Sequence, residues 1–230
     1  PRERDEACLE LAKIRDARVV APVLEAVREL SSRIEDYIEL EPAIDSLKRI
    51  ITGTSDPAAT EILTGALSDP SLNIRQTAAF ALENLADPSS AEALIRAAQD
   101  RDPYVRSAVV GALGSVDGDG VDGALLKALE DTDYGVKKSA LRALGRHRCH
   151  DALAPALAIL ADNTNTSIMN GIPWPEVRMW SAYALGEIRE AAATEALVAA
   201  AGGEDPGVRQ FAEAALRKIR SAAGDESIET

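Results

Sequence analysis

The chain has 230 residues, 46% of them apolar but only 3% aromatic, and its 38 acidic residues against 25 basic ones give a formal charge of −13. Such an excess of carboxylates argues against sequence-independent binding of nucleic acid or of an anionic membrane, since both are held by cationic surfaces. A chain this poor in rings and rich in alanine packs close helix pairs through many small contacts, as one or two compact domains or as one elongated array.

No run of about 18 apolar residues is present to span a membrane, and no basic leader with an apolar centre precedes the first helical pattern. Cys8 and Cys149 are far apart and belong to no CxxC pair, which points to a soluble protein of the reducing cytoplasm. The first residue is Pro1, not Met, so further sequence upstream is expected.

Taken in chain order, the elements repeat. Leu11-Ala12-Lys13-Ile14 and Leu47-Lys48-Arg49-Ile50 read as degenerate endings of a first helix, with Glu41-Pro42 interrupting the one expected before the second. Ile74-Arg75 is followed by Ala81-Leu82, and then the unit becomes clear as Asp102-Pro103-Tyr104-Val105-Arg106 with Ala112-Leu113-Gly114. It returns as Asp133-Tyr134-Gly135-Val136-Lys137 with Ala143-Leu144-Gly145, as Val177-Arg178 with Ala184-Leu185-Gly186, and as Asp205-Pro206-Gly207-Val208-Arg209 with Ala215-Leu216. The basic member falls at 75, 106, 137, 178 and 209, in steps of 31, 31, 41 and 31. A period held this closely, with one ten-residue insertion, marks a repeat architecture.

Each part of the unit has a physical role. Asp caps free backbone N–H groups at a helix start, and Pro at the first helical position loses nothing by lacking a donor. Val105, Val109, Ala112, Leu113 and Val116 follow at three- and four-residue spacing and form one apolar face. Turns such as Asp87-Pro88-Ser89-Ser90 and Asp117-Gly118-Asp119-Gly120 lead into second helices, Ala91 to Gln99 and Val121 to Glu130. Neither helix buries its stripe alone, so the pairs must stack. The prediction is an all-α array of about seven helix pairs over residues 1–220, degenerate at 1–68 and regular at 69–219 with an insertion near 162–175, followed by a flexible polar tail at 221–230. Asp102, Arg106, Asp133, Lys137, Arg178, Asp205 and Arg209 are assigned to a structural ladder in which each basic side chain pairs with the Asp cap of an adjacent repeat.

The pattern D-P-x-V-R-x-x-A-x-x-A-L-G resembles the HEAT-repeat superfamily, in its short PBS-lyase HEAT-like form. That resemblance implies a right-handed α-α superhelix which binds a protein along a concave surface lined by second helices, and it is similar also to bilin lyase subunits, which hold a tetrapyrrole. A HEAT-like di-iron hydroxylase would need His-Glu pairs. His147 and His150 are the two histidines, and neither is followed by Glu.

His147-Arg148-Cys149-His150-Asp151 gathers possible metal ligands in one turn, but adjacent residues diverge and no second cluster completes a tetrahedral site, so His147 is expected to be a partly buried, hydrogen-bonded turn residue and no metal is expected. No Gly-rich phosphate loop, nucleophile elbow or paired helix carboxylates appear, and Ala128 stands where a calcium loop beginning at Asp117 would need its Glu. No catalytic residue and no cofactor is therefore assigned.

The expected activity is a non-catalytic scaffold binding another protein; a tetrapyrrole-handling subunit and a regulatory module of a larger enzyme are the alternatives. Candidate partner-binding residues are Met169, Ile172 and Trp174 in the insertion and Trp180 just after it, because Trp and Met supply contact area at interfaces. Arg96 and Lys127 occupy matching outward positions on second helices, and Lys138, Arg142 and Arg146 form a basic stripe at four-residue steps.

Overall fold

A computed structural model describes residues 17–33, 57–164, 167–169 and 172–224, of which 167–169 and 172–174 are given as backbone. Among the described residues the fold is all-helical apart from one small hairpin, and the protein divides into two compact units, residues 1–121 and 122–230.

In the first unit a short 3-10 turn, Ala17–Val19, opens α1 (Val20–Arg33), followed by α2 (Pro57–Ala66), α3 (Leu72–Leu85), a 3-10 turn at Pro88–Ser90, α4 (Ala91–Ala97) and α5 (Pro103–Leu113). α3 packs against α1, α2 and α5, and α4 packs against α5. The second unit holds α6 (Val121–Ala128), α7 (Tyr134–His147), α8 (Leu153–Ala161), α9 (Glu176–Ile188), α10 (Thr194–Ala201) and α11 (Pro206–Ala222). The first helices α7, α9 and α11 stack in sequence, and α8 and α10 pack on α9 and α11. The matching Leu11–Ile14 and Leu47–Ile50 patterns, Cys8 and most of the tail at 221–230 lie outside the described residues.

The helix starts are set as the Asp-Pro pairs predict. Asp102 Oδ1 accepts from the N–H groups of Tyr104 (2.8 Å) and Val105 (3.4 Å), Asp133 Oδ1 from Val136 (3.1 Å) and Asp205 Oδ1 from Val208 (2.9 Å). Pro103 and Pro206 take the first helical turn. The five apolar positions predicted for one face of the 105–116 helix, from Val105 to Val116, are all buried. The largest fully buried side chains, Leu63, Ile74, Leu82, Leu94 and Leu113 in one unit and Leu125, Leu141, Leu144, Leu185 and Leu197 in the other, are aliphatic without exception, as an aromatic-poor sequence requires.

The glycine of the Ala-Leu-Gly motif sets the distance between first helices. A Cβ on Gly145 would lie 3.1 Å from Ala184 Cα, and one on Gly186 would lie 2.7 Å from both Cα and Cβ of Ala215. Glycine here trades helix propensity for backbone contact between neighbours in the stack. Three helices end on a residue in the left-handed region that is not glycine: Ala86 after α3, Arg148 after α7 and Arg189 after α9, with φ of 50°, 51° and 61°.

The 162–175 insertion, read from sequence as a loop, contains an antiparallel hairpin. β1 (Ser167–Met169) pairs with β2 (Ile172–Trp174) in the register Ser167 to Trp174, Ile168 to Pro173 and Met169 to Ile172.

Candidate functional site

The loops that join a second helix to the next first helix carry the most regular polar chemistry of the molecule. Arg75, buried although charged, donates from Nη1 to the carbonyls of Asp69 (2.9 Å) and Pro70 (3.1 Å). Arg106 reaches the carbonyls of Asp100 (3.0 Å) and Arg101 (3.4 Å), and Arg209 those of Gly203 and Glu204 (both 3.0 Å). Each thus ties down the loop five and six residues before it, giving carbonyls of the loop itself a donor. Arg178 departs from the pattern because the insertion precedes it, and its Nε donates to Leu160 O at 3.0 Å.

The caps Asp102, Asp133 and Asp205 each turn Oδ1 to N–H groups of their own helices, and where Arg75 meets an acid of the next repeat, that acid stands two residues before the Asp102 cap. Arg75 Nε and Nη2 bind the Asp100 carboxylate at 2.7 and 3.1 Å, with the two side chains only 6% and 11% exposed. Burial pushes the Asp100 carboxyl up, but the Arg75 hydrogen bonds, the Asp102 N–H and the charges of Arg75 and Arg101 together hold it below its ordinary value.

Asp100 belongs to a periodic series of acids distinct from the caps. Asp69, Asp100, Asp131 and Asp162 recur at steps of 31 residues, and each accepts at 2.8 Å from the N–H two residues on: Ser71, Asp102, Asp133 and Thr164. Asp69 also binds Arg28 of α1. Asp162 is held below the ordinary carboxylate range by the Thr164 hydroxyl and N–H, with Lys137 and Arg178 contributing positive charge nearby.

Two clefts open beside these loops, one in each unit. The first, roughly 540 Å³, lies between Thr64 of α2, Arg96 of α4 and the Arg75–Asp100 pair. The second, roughly 730 Å³, lies between Leu160 of α8, Ala196 and Ala199 of α10, Arg178 and the Gly203-Glu204-Asp205 loop. Both are bounded by second helices and by the loop entering the next first helix.

The remaining predicted site residues fall as follows. Arg96 lines the first cleft and pairs with Glu92 one turn back; Lys127 is exposed on α6. The basic stripe is engaged internally: Lys138 Nζ lies 2.9 Å from Glu176 Oε1 of α9, and Arg142 and Arg146 have interactions of their own within the protein. Met169, Ile172 and Trp174 are placed in the hairpin by their backbone, their side chains lying outside the described residues.

Trp180 is half-buried and meets Tyr183 and Phe211 edge-on, at centroid distances of 5.3 and 5.9 Å. Its repeat position is filled by small buried residues in earlier copies, Thr77, Ala108 and Ser139, and by Phe211 in the next. Lys218 Nζ sits 5.1 Å over the Tyr183 ring and also binds Glu187.

His147 is partly buried and hydrogen-bonded as expected, but it is the last residue of α7 and not part of the turn that follows. Its Nδ1 lies 2.7 Å from Asp122 Oδ1 with the ring 12% exposed, while His150 pairs separately with Glu190. Burial, and then the charge of Asp122, push the neighbouring Cys149 thiol up, away from the thiolate form a nucleophile or metal ligand needs. Among the described residues no group of three or more His, Cys, Asp or Glu is placed to hold a metal ion, and no helix is long and apolar enough to cross a membrane.

The repeated loop chemistry agrees with matches to known families. The HEAT repeats family matches residues 59–122 and 98–170, and the PBS lyase HEAT-like repeat family matches 177–202. The chain belongs to the HEAT-repeat superfamily. No curated protein matches this HEAT-repeat protein in sequence. Solved structures share its fold. A designed armadillo repeat protein in complex with the peptide (KR)4 matches with TM-score 0.53 at 20% identity, over 86% of this chain and 99% of that one. The complex of CpcE and CpcF of phycocyanin lyase from Nostoc sp. PCC7120 matches with TM-score 0.53 at 22% identity, over 98% and 84%. Human deoxyhypusine hydroxylase in complex with glycerol matches with TM-score 0.50 at 23% identity, over 95% and 79%. At these identities the likeness concerns the HEAT-repeat architecture and not the chemistry of any site.

Proposed function

We propose that this HEAT-repeat protein is a non-catalytic scaffold that binds an extended segment of another protein along its second helices. The observation that carries the reading is the recurrence of a cleft in each unit, at the same place in the repeat, where second-helix side chains meet a rigidly pinned loop. A cleft of this build suits an extended backbone segment, and loops tied down by Arg side chains offer preorganised walls. The designed armadillo relative holds a bound peptide, which is consistent with this use of the fold. Arg96 and Lys127 on the second helices, Met169, Ile172 and Trp174 of the hairpin strands, and Trp180 are the proposed contact residues. The free thiol of Cys149 and the absence of a membrane-spanning helix among the described residues fit a cytoplasmic setting.

Selection of peptides from a random display library on the immobilised protein, followed by fluorescence anisotropy, tests the proposal. Saturable binding weakened by Arg96→Ala or Lys127→Ala, with helicity unchanged, supports it. Peptides that bind equally well to these variants and to a hairpin deletion would remove it. Mixing with phycocyanobilin is the control for the lyase-like alternative: a saturable change in chromophore absorbance in place of peptide binding would favour that role.

A further inference from the structure

The Arg75 cleft shows how the protein treats a guanidinium at this place in the repeat. The next repeat supplies a carboxylate, Asp100, standing 25 residues after Arg75, and two Arg nitrogens bind it. The sequence repeats the arrangement with Asp131 placed 25 residues after Arg106 and Asp162 placed 25 residues after Lys137. After Arg178 the series stops, because Gly203 occupies that position.

The consequence is local and specific. Arg178 is half-buried and oriented by its Nε bond to Leu160 O, yet its two Nη groups have no hydrogen-bond acceptor among the described residues. Arg178 borders the cleft of roughly 730 Å³ that the Gly203-Glu204-Asp205 loop also lines. The cleft is much larger than one carboxylate, with room for the backbone that would carry it. Asp162 lies near enough to act on Arg178 electrostatically, and its carboxylate is turned to Thr164. Asp205 Oδ1 is occupied by the Val208 N–H, and Glu204 is exposed on the rim. Glu204 and Asp205 in the cleft wall and Asp162 acting on Arg178 add negative charge, which disfavours a dianion such as phosphate more than a single carboxylate, and a carboxylate matches the planar two-donor edge of Arg.

We propose that the cleft beside Arg178 binds a carboxylate supplied by the partner segment, in the place that the protein's own Asp fills beside Arg75. The carboxylate comes from an Asp or Glu side chain or from the partner's carboxy terminus. The site rests on the scaffold reading for its biological occupant, but its chemistry is testable without one.

The experiment follows the Arg178 Nε–H signal and, in parent and variants alike, the backbone N–H signals of the 203–205 loop by NMR in the full-length protein during titration with N-acetylglycine, which stands for a carboxy terminus, N-acetylglutamate α-amide, which stands for a side chain, and inorganic phosphate. Saturable shifts with at least one carboxylate, about tenfold weaker binding of phosphate, and loss of binding in Arg178→Met are expected, and the tighter carboxylate names the source. Gly203→Asp restores the missing acid and is expected to weaken carboxylate binding about tenfold or more. A Cβ there would sit 3.2 Å from Ala200 O, so the loop must give slightly; if that variant does not fold, Arg178→Met with native helicity decides. Shifts that grow linearly without saturating, survive in Arg178→Met, or favour phosphate overturn the proposal. A selected peptide that binds the second helices but is not displaced by either carboxylate would overturn this site while sparing the scaffold. Carboxylate binding with no peptide binding would do the reverse.

Discussion

Replacing Gly186 with alanine sets two opposed effects against each other in one atom. Gly186 lies inside α9, where Gly→Ala ordinarily stabilises by about 0.5–1 kcal/mol through backbone entropy and helix propensity. The added Cβ would stand 2.7 Å from Cα and Cβ of Ala215, and since the obstacle is largely the backbone of α11, no rotamer change relieves it. Forcing one extra methyl into a closed contact costs roughly 1–3 kcal/mol, so the net effect is a destabilisation of about 1–2 kcal/mol. Gly123 is the control in the same unit: it lies in α6 with nothing within 4 Å of an added Cβ, and Gly123→Ala should stabilise by about 0.5–1 kcal/mol. Urea unfolding followed by circular dichroism at the helical minimum separates them. If Gly186→Ala proves as stable as the parent, the Ala-Leu-Gly motif does not set the helix spacing and the packing argument fails.

Four further outcomes are expected. Arg75→Met leaves Asp100 nearly buried with no cation and two loop carbonyls without a donor, and should destabilise the first unit by about 3 kcal/mol in thermal or urea melts. Because Asp100 titrates below its ordinary value of 3.8 in the folded protein, its contribution is fully present above that value and is lost as pH falls through it, so the parent's acid-unfolding limb should be flatter in Arg75→Met, as pH-dependent melts would show. Cys149, whose thiol is pushed up by burial and by Asp122, should alkylate with iodoacetamide far more slowly at about pH 7.5 than an unfolded peptide containing it, read by mass spectrometry. Trp180→Ala removes a half-buried ring from its edge-on contacts with Tyr183 and Phe211 and should cost about 2 kcal/mol, less than the ~3–5 kcal/mol of a fully buried Trp; a loss of peptide affinity at unchanged stability would instead place Trp180 at the interface.

What could be read from sequence was what is local. Asp-Pro caps and the Val105-to-Val116 stripe are decided within one or two helical turns, and both stand as expected. The hairpin had a signal in Asn170-Gly171, a favoured two-residue connection, but strands of three residues with Pro173 in one of them fall below what alternation can reveal. Asp69, Asp100, Asp131 and Asp162 were visible as a period, yet an acid in a polar turn reads as solvated until its partner 25 residues earlier is brought to it. Lys138 looked like part of an open basic stripe for the same reason: Glu176 is 38 residues away and meets it only when α7 and α9 stack.

The left-handed residues at Ala86, Arg148 and Arg189 have a consequence for how small this protein can be made. A non-glycine side chain in that region costs about 1–2 kcal/mol, so these turns are not chosen by their own residues. They are imposed by the helices that stack on either side. An excised single helix pair would lack that enforcement and should fray first at these corners, which makes the shortest autonomous fragment a matter of corner geometry as well as of buried area. Ala86→Gly would then help a fragment more than it helps the full-length protein.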